Sequence, residues 1–292
     1  MKKIAITGAS GYLGSALCRK LLKENYSILE IAHCGSHVEI KNECVIRIGQ
    51  DNQADLLTEL KKCSILLHAG TCYGRNGESV DQLIKYNTQL PQNLLNKALS
   101  VDIGCFINIG SCLPSDLTPY SLSKKHFWDW AALLCKDKSI KSINIKLEHF
   151  YGEGGSENNF ITRIIRECLS ENTKINLTDG LQKRDFIHID DVVEAIMLIV
   201  KKEKEFFPCS SEFEVGTGKT NTVRSVVEKI ANKCDAIEKL KFGVIPRRKN
   251  EPDEISVDIS GLTELGWQSK IHLEEGLSRT IQKEQSLNKM IV

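Results

Sequence analysis

Apolar runs and polar turns alternate through the first half of the chain at a regular spacing. Lys3 to Ile6 is a short apolar run that stops at a glycine turn. Ser15 to Lys23 then reads as a helix, with Leu13, Leu17, Leu21 and Leu22 on one face. Ser27 to His33 and Val45 to Ile48 read as strands, Ala54 to Lys62 as a helix and Ser64 to His68 as a fourth strand. Val80 to Leu99 reads as a long helix that Pro91 should kink. Cys105 to Ile109 is the fifth strand, Tyr120 to Cys135 a helix and Ser142 to Leu147 the sixth strand. Short apolar strands separated by helices predict a parallel sheet covered by helices on both faces, the doubly wound α/β class.

Beyond residue 150 the spacing loosens. Asn159 to Leu169, Asp190 to Lys202, Thr222 to Lys233 and Leu273 to Gln285 read as helices, and Ile175 to Leu177 and Phe213 to Val215 as strands. The expectation is a sheet domain over 1–150 and a smaller C-terminal substrate-binding α/β lobe over 151–292, with some segments of the second part returning to the first sheet.

Composition narrows the choice of partners. The 39 basic and 38 acidic residues leave a net charge of +1, which gives no electrostatic footprint for nucleic acid or an acidic membrane. The 11 cysteines are odd in number and contain no C-x-x-C pair, so they read as reduced thiols and not as a disulfide framework or a metal site. Met1-Lys2-Lys3 before an apolar run faintly resembles a signal peptide, but Gly8, Gly11 and Gly14 interrupt it. No apolar run approaches the roughly 18–20 residues that a membrane span needs. A soluble, cytoplasmic protein is expected.

The chemistry begins at Thr7-Gly8-Ala9-Ser10-Gly11-Tyr12-Leu13-Gly14, between the first strand and the first helix. Gly8 allows a tight turn, Gly11 lets backbone approach a pyrophosphate, and Gly14 lets the helix pack on the sheet. The helix N-terminus then offers free N–H groups to the phosphates. The strand–turn–helix context makes this a Rossmann-type dinucleotide site, with Ser10, Tyr12 and Leu13 in the contacting turn. An NAD site usually carries an acid at the end of the second strand, which here reads Ile31-Ala32-His33-Cys34. Glu30 is the nearby acid, and strand alternation keeps it from replacing a residue at 32. A 2′-phosphate would meet no repulsion, and His33, His37 or Lys41 could attract it. NADP(H) is therefore favoured, with NAD(H) still open.

Tyr120 and Lys124 stand at i and i+4 on one helix face, just after the strand that ends at Ser111. None of the other five tyrosines has a lysine four residues on. A neighbouring ammonium is expected to lower the phenol from its free value of about 10. Tyr120 could then pass a proton, Lys124 could also bond the nicotinamide ribose, and Ser111 could polarise a carbonyl. Cys112 is the adjacent alternative to Ser111.

Together the TGxxGxxG and YxxxK motifs resemble the extended short-chain dehydrogenase/reductases, the NAD-dependent epimerase/dehydratase family. Further segments extend the resemblance over nearly the whole chain. His68-Ala69-Gly70 is similar to the family's fourth-strand end beside the cofactor, which implicates Ala69 and Gly70. Asn87 is similar to a helix asparagine near the adenosine side. Lys146 to Gly152 resembles "LRxxNVYG", with His149 where asparagine is usual. Asn158-Asn159-Phe160 resembles a segment whose asparagine contacts sugar or phosphate. Arg184 to Val192 resembles "RDFIHVxDV", whose arginine holds the nucleotide diphosphate. Arg247-Arg248 resembles a second phosphate-binding position, and Leu265-Gly266-Trp267 the family's "LGW". Taken by residue type alone, Arg184 would be a salt bridge to Asp185, Arg247-Arg248 a solvated pair and His149 a core histidine. A diphosphate-linked substrate gives both arginine positions a purpose.

Thr71 to Ser79, including Thr71 and Arg75, and the short Ser111–Tyr120 loop look closer to the CDP-abequose/CDP-paratose synthase type of nucleotide-sugar 4-ketoreductase. Family dehydratases carry Asp-Glu after the serine/threonine, whereas this chain has Cys112-Leu113. The resemblance implies reduction of a nucleotide-diphosphate-linked 4-keto-6-deoxyhexose, serving surface polysaccharide. A 4-epimerase with tightly bound NAD would use the same residues twice. A non-catalytic dinucleotide sensor or scaffold is the third reading. Helices 80–99 and 120–135 are the surfaces through which the family often forms a homodimer.

Overall fold

The computed structural model describes residues 1–32, 42–136, 138–171, 173–207 and 209–291. The chain divides into two compact units, the first comprising Met1–Leu147 and Val193–Phe213, the second Glu148–Val192 and Glu214–Val292.

In the first unit the elements run β1 (Lys3–Thr7), α1 (Tyr12–Lys23), β2 (Ser27–Ala32), β3 (Val45–Gly49), α2 (Gln53–Leu60), β4 (Ile65–His68), α3 (Val80–Ile84), α4 (Leu90–Ser100), β5 (Cys105–Ser111), α5 (Pro119–Cys135) and β6 (Lys141–Leu147). With the strand Ser210–Val215 they build a seven-stranded sheet, in the order Ser210–Val215, β6, β5, β4, β1, β2, β3. The pairs from β6 to β3 are parallel. Alternation along each strand sends Ala5, Leu29, Leu66 and Phe106 into one core with Leu56, Leu95, Ala98, Phe127 and Ala131 of the helices. Ile4, Ile6, Ile28, Ile65 and Ile107 are equally buried and point to the opposite face. This two-sided burial is the doubly wound, Rossmann-type arrangement.

The long helix expected over 80–99 is interrupted. A π-turn over Lys85–Gln89 separates α3 from α4, and Pro91 lies in the first turn of α4. Proline has no N–H for the carbonyl four residues earlier, so the i→i−4 ladder fails at this point. The returning segment Val193–Phe213 is tied to the unit by Glu203, which pairs with Lys2 at 2.8 Å and Lys141 at 3.4 Å.

The second unit holds a three-stranded sheet of Thr220–Thr222, Lys183–His188 and His149–Tyr151. Helices Phe160–Leu169, Val223–Lys233 and Leu273–Ile291 accompany it. Ile161, Ile164, Ile165, Phe186, Val226, Ile230 and Leu277 form its core. Asp185 is fully buried and accepts hydrogen bonds from Thr217 Oγ1 at 2.6 Å and the N–H groups of Thr217 and Gly218. Among the described residues, no helix is long and apolar enough to cross a membrane, and no cluster of His, Cys, Asp or Glu could hold a metal. All ten described cysteines are free thiols, and Cys34 lies outside the described residues.

Candidate active site

The parallel register brings the carboxyl ends of three strands level. Thr7 pairs with His68, His68 with Asn108, and β5 runs on to Ser111 opposite Leu147. Ligands bind at this edge in doubly wound sheets.

The glycine turn is closed by the Gly11 N–H donating to the Gly8 carbonyl at 2.9 Å. Gly8 has φ +71°, and a Cβ there would lie 2.6 Å from the Gly70 nitrogen. A Cβ on Gly14 would lie 1.9 Å from the Gly8 oxygen. Gly8, Ala69, Gly70 and Gly14 are thus packed backbone to backbone. Gly11 caps α1 with extended backbone, no side-chain cap and no acid in the first turn. The N-terminus of α1 carries the partial positive charge of the helix. Ser10 and Gly11 are exposed at the turn, Tyr12 is half-buried and Leu13 anchors the helix in the core. This cradle fits a pyrophosphate.

Gly8→Ala should combine left-handed strain of about 1–3 kcal/mol with the clash against Gly70. The expected result is a lower melting temperature and loss of the rise expected from added NAD(P)H. Gly49→Ala, with nothing within 4 Å of the new Cβ, should keep that rise. Thermal melts with and without cofactor check both.

At the end of β2, Glu30 is buried and lies 3.7 Å from Arg47 Nε. Burial raises its pKa, against the pull of Arg47. It is held inside the sheet, and Ala32 ends the described strand. His33, His37 and Lys41 lie outside the described residues.

Thr118 starts α5 with a capping box. Its hydroxyl accepts from the Ser121 N–H at 3.0 Å, and Ser121 Oγ accepts from the Thr118 N–H at 3.1 Å. Pro119 fits the first turn. The cap fixes where the helix begins, and so fixes Tyr120 beside the end of β5. Thr71 and Ser111 lie close enough to the Tyr120 phenol to act against the rise in its pKa. Ser111 is therefore the residue at the tyrosine. The next N–H, that of Cys112, is committed to the Leu147 carbonyl at 3.0 Å.

The electrostatics differ from the sequence expectation. Burial pushes the Tyr120 phenol up and Tyr73 adds to the rise, while Thr71, Arg75 and Ser111 act against it. Lys124 makes no hydrogen bond to the Tyr120 phenol. Its ammonium is buried with no hydrogen-bond partner, and burial lowers its pKa to about 8. Its charge acts on His68, which burial first and Lys124 second push down to about 3. A helical pair at i and i+4 guarantees a shared face, not contact between the charged ends. His68 is held by Thr7, Oγ1 to Nδ1 at 2.7 Å, and its Nε2 is buried without a partner. The orphaned Lys124 Nζ fits the role of a donor to a ribose hydroxyl.

Asn87 differs too. It is fully buried within the π-turn, and its amide is committed to the protein. Its oxygen accepts from the Cys72 N–H at 2.8 Å, and its nitrogen donates to the Cys72 carbonyl at 2.8 Å and Ser123 Oγ at 3.0 Å. Through these bonds it ties the Thr71–Cys72 loop to α5. The sequence also gave no sign of Tyr73, whose ring centroid lies 5.2 Å from that of Tyr120.

The residues expected to meet a diphosphate separate in the second unit. Arg184 is buried and satisfied, by Glu251 at 2.9 Å and the Lys183 carbonyl at 2.7 Å. Its partner is Glu251 and not Asp185. Arg247 donates Nη1 to Asp253 at 2.9 Å, while its Nη2 is buried with no partner. Arg248 is exposed. Asn159 caps the helix Phe160–Leu169 and donates to the Phe150 carbonyl at 2.8 Å. His149 Nδ1 meets Glu148 Oε1 at 2.8 Å.

The model of the NAD dependent epimerase/dehydratase family matches residues 4–216. A CDP-abequose synthase of Salmonella muenchen is 30% identical over 287 residues, covering 96% of this chain and 97% of that protein. Among solved structures, MoeE5 in complex with UDP-glucuronic acid and NAD superposes with a TM-score of 0.85 at 21% identity, over 98% of this chain and 99% of that one. The UDP-glucose 4-epimerase of Thermotoga maritima with UDP-glucose gives 0.84 at 20%, with the same coverage.

Proposed function

Because the chain belongs to the NAD-dependent epimerase/dehydratase family, and is thus an NAD(P)-dependent nucleotide-sugar-modifying enzyme, we propose that it reduces the keto group of a nucleotide-linked 4-keto-6-deoxyhexose. The observation that carries this reading is the Tyr120 phenol beside Ser111 and Thr71, both of which act on it, with Cys112-Leu113 in place of an acid pair. Elimination of water from a sugar needs a separate acid and base. The residues after Ser111 supply neither. Likeness to a CDP-abequose synthase supports the same choice.

The cofactor, when bound, supplies a hydride to the carbonyl carbon. Ser111 donates to the carbonyl oxygen and polarises it. Tyr120 donates the proton that converts the oxygen to a hydroxyl. Burial keeps the phenol protonated at neutral pH, which suits it to give a proton in this direction. Lys124 holds the cofactor ribose, and the open Nη2 of Arg247 recognises the diphosphate. NADPH is the preferred reductant, because Glu30 is held against Arg47 and Ala32 offers a 2′-phosphate no carboxylate.

The test is a panel of CDP-, dTDP-, GDP- and UDP-linked 4-keto-6-deoxyhexoses with NADPH or NADH. The expected outcome is one NADPH oxidised per sugar reduced, with a higher kcat/KM for NADPH than for NADH. Product formed with no net change in cofactor would make the protein an epimerase.

A further inference from the structure

The loop after β4 carries a side chain that the mechanism above does not use. Tyr73 stacks on Tyr120, with ring centroids 5.2 Å apart and planes inclined by 33°. The Arg75 guanidinium lies 5.1 Å over the Tyr73 ring. The base of this loop is fixed to the helix that carries Tyr120. Asn87 holds both backbone groups of Cys72 and donates to Ser123 Oγ, which in turn donates to the Tyr120 carbonyl at 2.7 Å. Gly74 makes the turn at φ +69°, where a Cβ would meet Leu83 of α3 at 3.2 Å. Yet Tyr73 itself is 40% exposed, so it is not a core residue. A large aromatic side chain left half in water, on a loop fixed at its base, is placed to act on the ring beside it.

We propose that Tyr73 is a positioning residue of this active site: stacked on Tyr120 under the Arg75 guanidinium, it fixes the phenol ring between Thr71 and Ser111 and shields it from water. The inference rests on the proposed role of Tyr120 as proton donor. Offset aromatic pairs favour one mutual orientation, so the stack restricts the rotamers open to Tyr120. It also excludes water from one side of the phenol, and burial is the main cause of that group's raised pKa. The groups acting on Tyr120 are Thr71, Tyr73 and Arg75 from the loop after β4 and Ser111 from the end of β5, while Lys124 stands one turn along the same helix without bonding the phenol.

The test labels the tyrosines with carbon-13 at the ring ζ position and assigns Tyr120 by comparison with Tyr120→Phe. In the wild type the Tyr120 resonance should titrate well above a free phenol, whereas in Tyr73→Ala its midpoint should fall back toward the free value of about 10. Tyr73→Phe keeps the ring and its shielding, so the midpoint should stay above that of Tyr73→Ala, short only of the part that the Tyr73 hydroxyl adds. In turnover, Tyr73→Ala should lower kcat about tenfold with the dissociation constant for NADPH unchanged, and Tyr73→Phe should restore it. Should Tyr73→Ala fold poorly, Tyr73→Leu is read in the same way. An unmoved Tyr120 titration in the Ala or Leu variant overturns the proposal, as does kcat equal to the wild type. If the wild type reduces no 4-keto sugar, the reading of the reaction fails, while the titration still decides the role of Tyr73.

Discussion

Tyr120→Phe should reduce turnover on the order of 10³-fold, the scale expected when a positioned general acid is removed. The dissociation constant for NADPH should stay within about twofold. In the proposed mechanism the phenol donates the proton at the carbonyl, while the proposed dinucleotide cradle is built from backbone around Gly8, Gly14 and Gly70. Removing one hydroxyl leaves that cradle intact. It also leaves the ring in place against Tyr73, so the loss should appear in kcat and not in folding. Steady-state kinetics with fluorescence titration of NADPH measure both quantities. Retained turnover would remove Tyr120 from the chemistry. The pH profile is a second readout. Burial raises the phenol, so it stays protonated through neutral and mildly alkaline pH. The alkaline limb should instead follow Lys124, with activity falling above about pH 8 as the ammonium is lost.

Lys124→Met should lower turnover on the order of 10²-fold and yet make the free protein more stable at pH 7. The ammonium is buried without a partner, and folding lowers its pKa from 10.5 to about 8. The unfolded chain therefore holds this proton more tightly than the native protein does. Linkage then makes the destabilisation fully present below about pH 8, and relieves it as pH rises from 8 to 10.5. A shift of this size corresponds to roughly 3 kcal/mol. Methionine matches the apolar stem and removes the charge. The variant should melt several degrees above the wild type at pH 7, and the gap should close as pH approaches 10. Equal or lower stability at pH 7 would mean that Lys124 is partnered in the free protein. A residue that costs stability and is needed for turnover is the pattern expected of a functional site.

Much of the sheet domain was legible because each strand is a short apolar run bounded by a turn, and each helix repeats leucine or alanine at helical spacing. The glycine turn was legible because its three glycines have separate reasons, and those of Gly8 and Gly14 are visible in the Cβ clashes. What failed depended on contacts that spacing does not encode. The i, i+4 rule put Tyr120 and Lys124 on one face but could not show that the lysine charge acts on His68. Asn87 resembled a cofactor contact, while its burial inside a π-turn commits its amide to Cys72 and Ser123. Pro91 suggested a kink, and the irregularity lies in the turn before it. The arginines could not be ranked, because only the fold shows that Arg184 has Glu251 while Arg247 keeps an open N–H. Tyr73 gave no periodic signal, since loop residues have none.

The central claim is net reduction at a sugar carbonyl, and a labelled hydride tests it most directly. NADPH carrying deuterium at the transferable position of the nicotinamide is mixed with the nucleotide-linked 4-keto-6-deoxyhexose that the substrate panel selects. The account predicts one deuterium at C4 of the sugar for each NADPH oxidised. Sugar converted without deuterium at C4 and without loss of NADPH would contradict it.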